Sequence, residues 1–205
     1  MKPSAKDWKV GDVRIARVVE SEGPWDGTIL LPNATPENVE RERDWLYPTF
    51  CDAAGRLRMS IHALVIESQG KRIIVDTCVG NDKVRPQREW NKMQLPFLED
   101  LRKIGYPRES IDRVVCTHLH VDHVGWNTML TDGKWVATFP NAKYLIGGTE
   151  WDNRFDNDGA MAKKTRRAFC ERYADSEVLV FGTHFATPSA GRISRKDGAF
   201  RFGLA

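Results

Sequence analysis

Three of the chain's five histidines, His118, His120 and His123, fall within six positions, directly after the apolar run IDRVVCT at residues 111–117. Nothing else in the sequence constrains the fold as tightly. An extended segment projects alternate side chains to one side, so His118 and His120 can reach one ion together. Asp122 and His123 follow as the chain turns towards a helix, where they can face a second ion close by. Neutral imidazoles combined with a carboxylate suit zinc or a similar first-row metal. Val114 and Val115 supply a rigid buried strand ahead of the cluster, and Gly125 permits close backbone packing behind it.

Strand and helix patterns interleave around this cluster. Residues 12–20 (DVRIARVVE) alternate apolar and polar as a strand does, and the Pro-, Gly- and Asn-rich stretch 23–33 reads as a loop. Thr35-Pro36-Glu37 starts a short helix, with Thr35 as its cap and Pro36 at its first position. Residues 56–68 and 71–77, divided at Gly70, predict a hairpin. Residues 94–104 carry Leu95, Leu98, Leu101 and Ile104 at helical spacing and stop at Gly105. A strand is predicted at 142–146, and a helix at 159–174 with Asp156 or Asp158 near its start. A strand at 177–182 leads into Thr183-His184, and a closing hairpin at 192–202 turns at Asp197-Gly198. His62 lies inside a strand pattern and reads as a packed histidine. The order of elements points to an α/β or layered α+β architecture.

A length of 205 residues suits one domain with a sizeable core better than two. The net charge of +3 is too small to imply a nucleic-acid or membrane partner. Lys163, Lys164, Arg166 and Arg167 read as the solvated face of the late helix. The first residues carry no signal-peptide run, and no stretch approaches a membrane span. Cys51, Cys78, Cys116 and Cys170 are far apart, with no CxxC pair, so reduced thiols and a cytoplasmic location are expected. No Ser-His-Asp or Cys-His arrangement competes with the histidine cluster, since GTHF and PSAG lack a nucleophile-elbow pattern and Cys116 reads as a strand residue.

THLHVDHVGWN, residues 117–127, resembles the HxHxDH signature of the metallo-β-lactamase superfamily of metal-dependent hydrolases. IIVDTCVGNDK, residues 73–83, resembles the upstream strand whose aspartate supports the metal site from behind; that position is Asp76, which could instead simply cap the strand end. RDWLYPTF, SIHALVIESQGKRIIVDTCVGNDK and VLVFGTHFATPSAGRI are similar to a branch related to quorum-quenching lactonases, and the similarity runs from about residue 12 to residue 202. The resemblance implies an α+β fold, the αββα sandwich, with residues 1–205 as a single domain. It implies that His118 and His120 bind a first metal, and that Asp122, His123 and His184 bind a second. Zinc is the implied ion, two in intact relatives and one or two here. The implied reaction is hydrolysis of a small-molecule lactone or ester by metal-activated hydroxide, with Asp122 also helping to move a proton to the leaving group. Superfamily members use the same cluster on thioesters and phosphodiesters, so these stay open.

The chain departs from the family in one place. The complete dinuclear site uses a further histidine, usually in a TPGHTPGH-like stretch, and an aspartate bridging the two metals. Between His123 and His184 the sequence has no histidine, and Asp132, Asp152, Asp156, Asp158 and Asp175 lie in loops or beside the late helix. PNAKYLIGGTEW (140–151) resembles the family up to the strand after the cluster, and residues from about 154 resemble its C-terminal part. The sandwich is therefore expected to be incomplete in its second half, with a junction near Glu150 to Arg154. Two consequences are expected: exposed sheet edges that favour a homo-oligomer, and a metal site short of donors, which makes a degenerate, non-catalytic metal-binding protein the alternative to an enzyme.

Overall fold

The computed structural model describes residues 6–29, 31–148 and 159–204. The chain forms two compact units, Met1–Glu22 with Ile61–Arg154 and Gly23–Ser60 with Phe155–Ala205.

The first unit is built on strands β1 (Lys6–Val10), β2 (Val13–Trp25), β3 (Leu57–Ser68), β4 (Lys71–Val75) and β5 (Arg113–Cys116). The hairpin β6 (Thr128–Thr131) and β7 (Lys134–Ala137) follows, then β8 (Lys143–Ile146). The main sheet has the order β1-β2-β3-β4-β5-β8. β2 and β3 run on into the residues of the second unit. Residues 60–65 of β3 are buried without alternation, as expected of a strand covered on both faces. β3 and β4 pair antiparallel through the predicted hairpin, whereas β4–β5 and β5–β8 are parallel. That parallel pairing sets Val75 beside Val115, so the segments leaving β4 and β5 emerge side by side at one end of the sheet. Binding residues of open sheets collect at such C-terminal strand ends. β8 ends the sheet with Leu145 exposed. The expected junction near residues 150–154 lies outside the described residues.

One helix of this unit packs on the sheet, Phe97–Lys103, which becomes α3 once α1 (Pro36–Arg41) and α2 (Arg43–Leu46) of the second unit are counted. Its Phe97 and Leu101 join Ile74, Val114, Tyr106, Trp126 and Phe139 in one buried cluster. The Phe97 and Trp126 rings stack at 5.7 Å. Each such side chain contributes roughly 1.5–3 kcal/mol on burial. The helix begins two residues later than the spacing of Leu95 suggests, because Pro96 biases the residue before it away from helical backbone. His62 is packed inside β3, 2% exposed.

The sequence reading is corrected at three other points. The stretch 23–33 is not wholly loop: β2 continues to Trp25, with Ser21, Gly23 and Trp25 half-buried in strand alternation and Pro24 on the exposed side. β1 and the β6–β7 hairpin were not anticipated. The hairpin had a signal, Asp132-Gly133, whose positive φ angles of 50° and 74° are those of a tight two-residue turn. The strand at 177–182 shrinks to β9 (Val180–Phe181).

The second unit holds β9 in a three-stranded antiparallel sheet, β11-β10-β9, where β10 (Ala190–Lys196) and β11 (Ala199–Leu204) form the expected closing hairpin. Thr35 caps α1, its hydroxyl accepting the Asn38 amide at 3.3 Å. Helix α4 (Gly159–Tyr173) presents Lys163, Lys164, Arg166 and Arg167 to solvent. No cysteine is bridged. Among the described residues, no helix is long and apolar enough to cross a membrane.

Candidate metal centre

The parallel register of β4 and β5 brings the first residues beyond each strand together. The Asp76 amide donates to the Val115 carbonyl at 2.9 Å, which extends the ladder one step past β4. Asp76 then turns into left-handed backbone, φ 56°, a conformation that aspartate tolerates better than most residues. Its carboxylate, 1% exposed, faces the residues that follow β5. Oδ1 accepts the Thr117 amide at 2.8 Å, and the Thr117 hydroxyl lies within 3.0 Å of both carboxylate oxygens. Oδ2 accepts Nδ1–H of the buried His123 at 2.7 Å.

This carboxylate therefore orients two imidazoles. A carboxylate only accepts, so His123 carries its proton on Nδ1 and turns Nε2 away from Asp76. The Thr117 hydroxyl has one proton, which it donates to Asp76; it accepts from His118 Nδ1 at 3.0 Å. His118 is thereby held with Nε2 outward, at 3.0 Å from Nδ1 of His120. The His118 ring sits 3.9 Å from that of His123 and 4.4 Å from that of His120. Asp122 Oδ2 lies 3.6 Å from His123 Nε2. Burial, then the neighbouring imidazoles of His123 and His120, push the His118 pKa down, which favours the neutral ring that binds metal.

Three imidazoles and a carboxylate thus gather in one place, as the spacing of the motif leads one to expect. Two donors on a tetrahedral zinc at 2.0–2.1 Å stand about 3.3 Å apart. The separations of 3.0 Å for His118–His120 and 3.6 Å for Asp122–His123 bracket that value, so the donor set fits a first-row divalent cation. Cys78 and Cys116 lie nearby in the chain, but burial raises both thiol pKa values, which keeps them protonated and out of competition as ligands.

The turn carrying Asp122 and His123 is stitched to the segment after β4. The Thr77 amide donates to the His123 carbonyl, the Gly125 amide to Cys78 and the Trp126 amide to Thr77, each at 2.7 Å. Gly125 is required here for space: a Cβ would meet the Val79 carbonyl carbon and oxygen at 1.9 Å. Thr117 stands inside the quoted motif, yet its part in orienting His118 was not anticipated; only the neighbouring strand reveals it.

His184 belongs to the second unit, in the turn after β9, where its carbonyl accepts the Ser60 amide at 3.4 Å. It also lines an apolar cavity of about 410 Å³ within that unit, walled by Trp25, Trp45, Phe50, Leu57, Met59 and Phe202. No sequence signal marked this cavity, because its walls come from segments far apart in the chain.

Residues 57–199 match the family model of the metallo-beta-lactamase superfamily. No curated protein matches the chain. Among solved structures, AidC, a dizinc quorum-quenching lactonase in complex with a product, is similar with a TM-score of 0.74 at 16% identity, covering 99% of this chain and 98% of that one. The hydrolase AbOPH of the beta-lactamase superfamily is similar with a TM-score of 0.73 at 16% identity, covering 100% and 98%. A probable metal-dependent hydrolase from Staphylococcus aureus has a TM-score of 0.54 at 22% identity, covering 71% of this chain and 50% of that one. These likenesses establish the fold.

Proposed function

Because the chain belongs to the metallo-beta-lactamase superfamily, and is a hydrolase on that ground, we propose that it is a zinc-dependent hydrolase that opens a lactone or ester. The observation that carries this reading is the gathering of His118, His120 and His123 around Asp76 and Thr117, with Asp122 beside them. His118 and His120 would hold one zinc, and Asp122 and His123 would supply donors to a second. Bound zinc supplies a nucleophile at neutral pH by lowering the pKa of water, and polarises the substrate carbonyl. Asp76 keeps the Nε2 atoms of His118 and His123 available as ligands. Asp122 would accept the proton that the attacking water gives up and deliver it to the alkoxide as the carbon–oxygen bond to the leaving group breaks.

Metal analysis of the purified protein, followed by a panel of acyl-homoserine lactones, simple lactones and aryl esters at matched zinc loading, tests the reading. Bound zinc with metal-dependent turnover supports it, and a protein that retains no transition metal overturns it.

A second reading follows from the absence of histidine between His123 and His184, which leaves the first site with two imidazoles. In that reading the chain binds one metal without turnover. Zinc-dependent hydrolysis of any member of the panel excludes it. Preference for a thioester or phosphodiester at equal zinc loading would keep the chemistry and change the substrate.

A further inference from the structure

A carboxylate from a distant strand, with no place in the ligand set, closes the same loop pair from the opposite side. Glu20 lies on β2, 8% exposed, and 59 residues of chain separate it from Val79. Its Oε2 accepts the Val79 amide at 2.8 Å; its Oε1 accepts the Gly80 amide at 3.0 Å and the Trp126 indole N–H at 2.8 Å. Two of these donors belong to the segment after β4 that carries Asp76. The third is the residue three places beyond His123. A buried carboxylate is costly unless its lone pairs are used, and here both oxygens accept, one of them twice.

We infer that Glu20 is a positioning residue for the metal centre, clamping the Asp76 segment to the His123 turn so that His123 and Asp122 keep their orientation. The geometry leaves few other ways of holding the two segments. Asp76 joins them at the front through His123, and the Thr77, Cys78 and Gly125 backbone bonds join them in the middle. Glu20 joins them at the back, where Val79, Gly80 and Trp126 would otherwise leave three N–H groups without an acceptor in a buried place. An amide in place of the carboxylate presents an NH₂ to at least one of those donors, so Glu20→Gln opens the clamp with almost no change of shape. Supporting groups behind metal ligands alter metal affinity by about 10–100-fold when removed.

The inference rests on the metal-binding reading proposed above, and cobalt(II) titration of the apo-protein separates the two. Chelator competition gives the affinity, and the visible absorption of bound cobalt reports ligand geometry independently of turnover. Wild-type protein should bind cobalt with a resolved visible spectrum. Glu20→Gln should unfold cooperatively as the apo-protein, bind cobalt about 10–100-fold more weakly, and shift that spectrum. Val65→Ala, which trims a buried side chain of β3, should lower apo stability yet leave affinity and spectrum unchanged. If Glu20→Gln does not fold, Trp126→Phe removes one donor and keeps both amides bonded, and it should shift the spectrum in the same way. Affinity and spectrum unchanged in the variant that folds would overturn the role of Glu20 alone. Wild-type protein that binds no cobalt would overturn the metal reading, and the clamp with it.

Discussion

The carboxylate of Asp76 accepts a hydrogen bond from Nδ1–H of His123 at 2.7 Å, and the two side chains, 47 residues apart in sequence, are 1% and 2% exposed. One hydrogen bond thus fixes both the tautomer and the direction of a candidate ligand. The same carboxylate reaches His118 through Thr117, so losing it frees two rings at once. Asp76→Ala should weaken zinc binding by about 10–100-fold and destabilise the apo-protein by roughly 1–3 kcal/mol, because a buried N–H loses its acceptor. Chelator competition and urea unfolding measure the two effects separately. An unchanged zinc affinity would show that His123 needs no such support.

His120 is exposed and carries little of the packing, in contrast to His123. His120→Ala should therefore lower bound zinc and abolish zinc-dependent turnover while changing apo stability by no more than about 0.5 kcal/mol. Metal content after desalting, together with thermal unfolding of the apo-protein, checks this. A large stability loss would assign His120 to the core.

Gly125 leaves no room for a side chain against the Val79 carbonyl. Gly125→Ala must push apart the turn after His123 and the segment after β4, at a cost of about 3 kcal/mol, the upper end for overpacking. A melting temperature equal to that of wild type would contradict the close approach.

Burial, followed by the hydrogen bond to Glu67, pushes the phenol of Tyr106 up to about 12 from an ordinary 10.0. The fold favours the neutral phenol. Its contribution is therefore complete below pH 10 and is lost as pH rises from 10 towards 12, where the unfolded chain ionises first. Ultraviolet titration of the tyrosines should lose its latest step in Tyr106→Phe, while Tyr144, also pushed up by burial, keeps its own delay. Four tyrosines ionising together near pH 10 would refute the shift.

Much of the centre is legible in the residues themselves. The alternation of His118 and His120, the adjacent Asp122-His123 pair and the apolar run before them are local, and local spacing is what a sequence displays. Asp76 was legible only through resemblance, with a strand-end cap as the competing explanation; its bonds to Thr117 and His123 show how it serves the centre. Glu20 was not legible at all. It sits in an ordinary alternating strand, and its three donors come from segments about 60 and more than 100 positions away.

The residues alone determined which groups can bind a cation, that a buried strand leads into them, and that Gly125 allows close packing behind them. They also determined that the chain lacks histidine between His123 and His184. Only the tertiary structure decided which partners hold those groups in place. The parallel pairing of β4 with β5 sets Asp76 against Thr117, and β2 delivers Glu20 beneath the same loops. The physical reason is that ligand spacing is covalent and short-range, whereas the orientation of each ring depends on hydrogen bonds made between strands that the sequence keeps far apart.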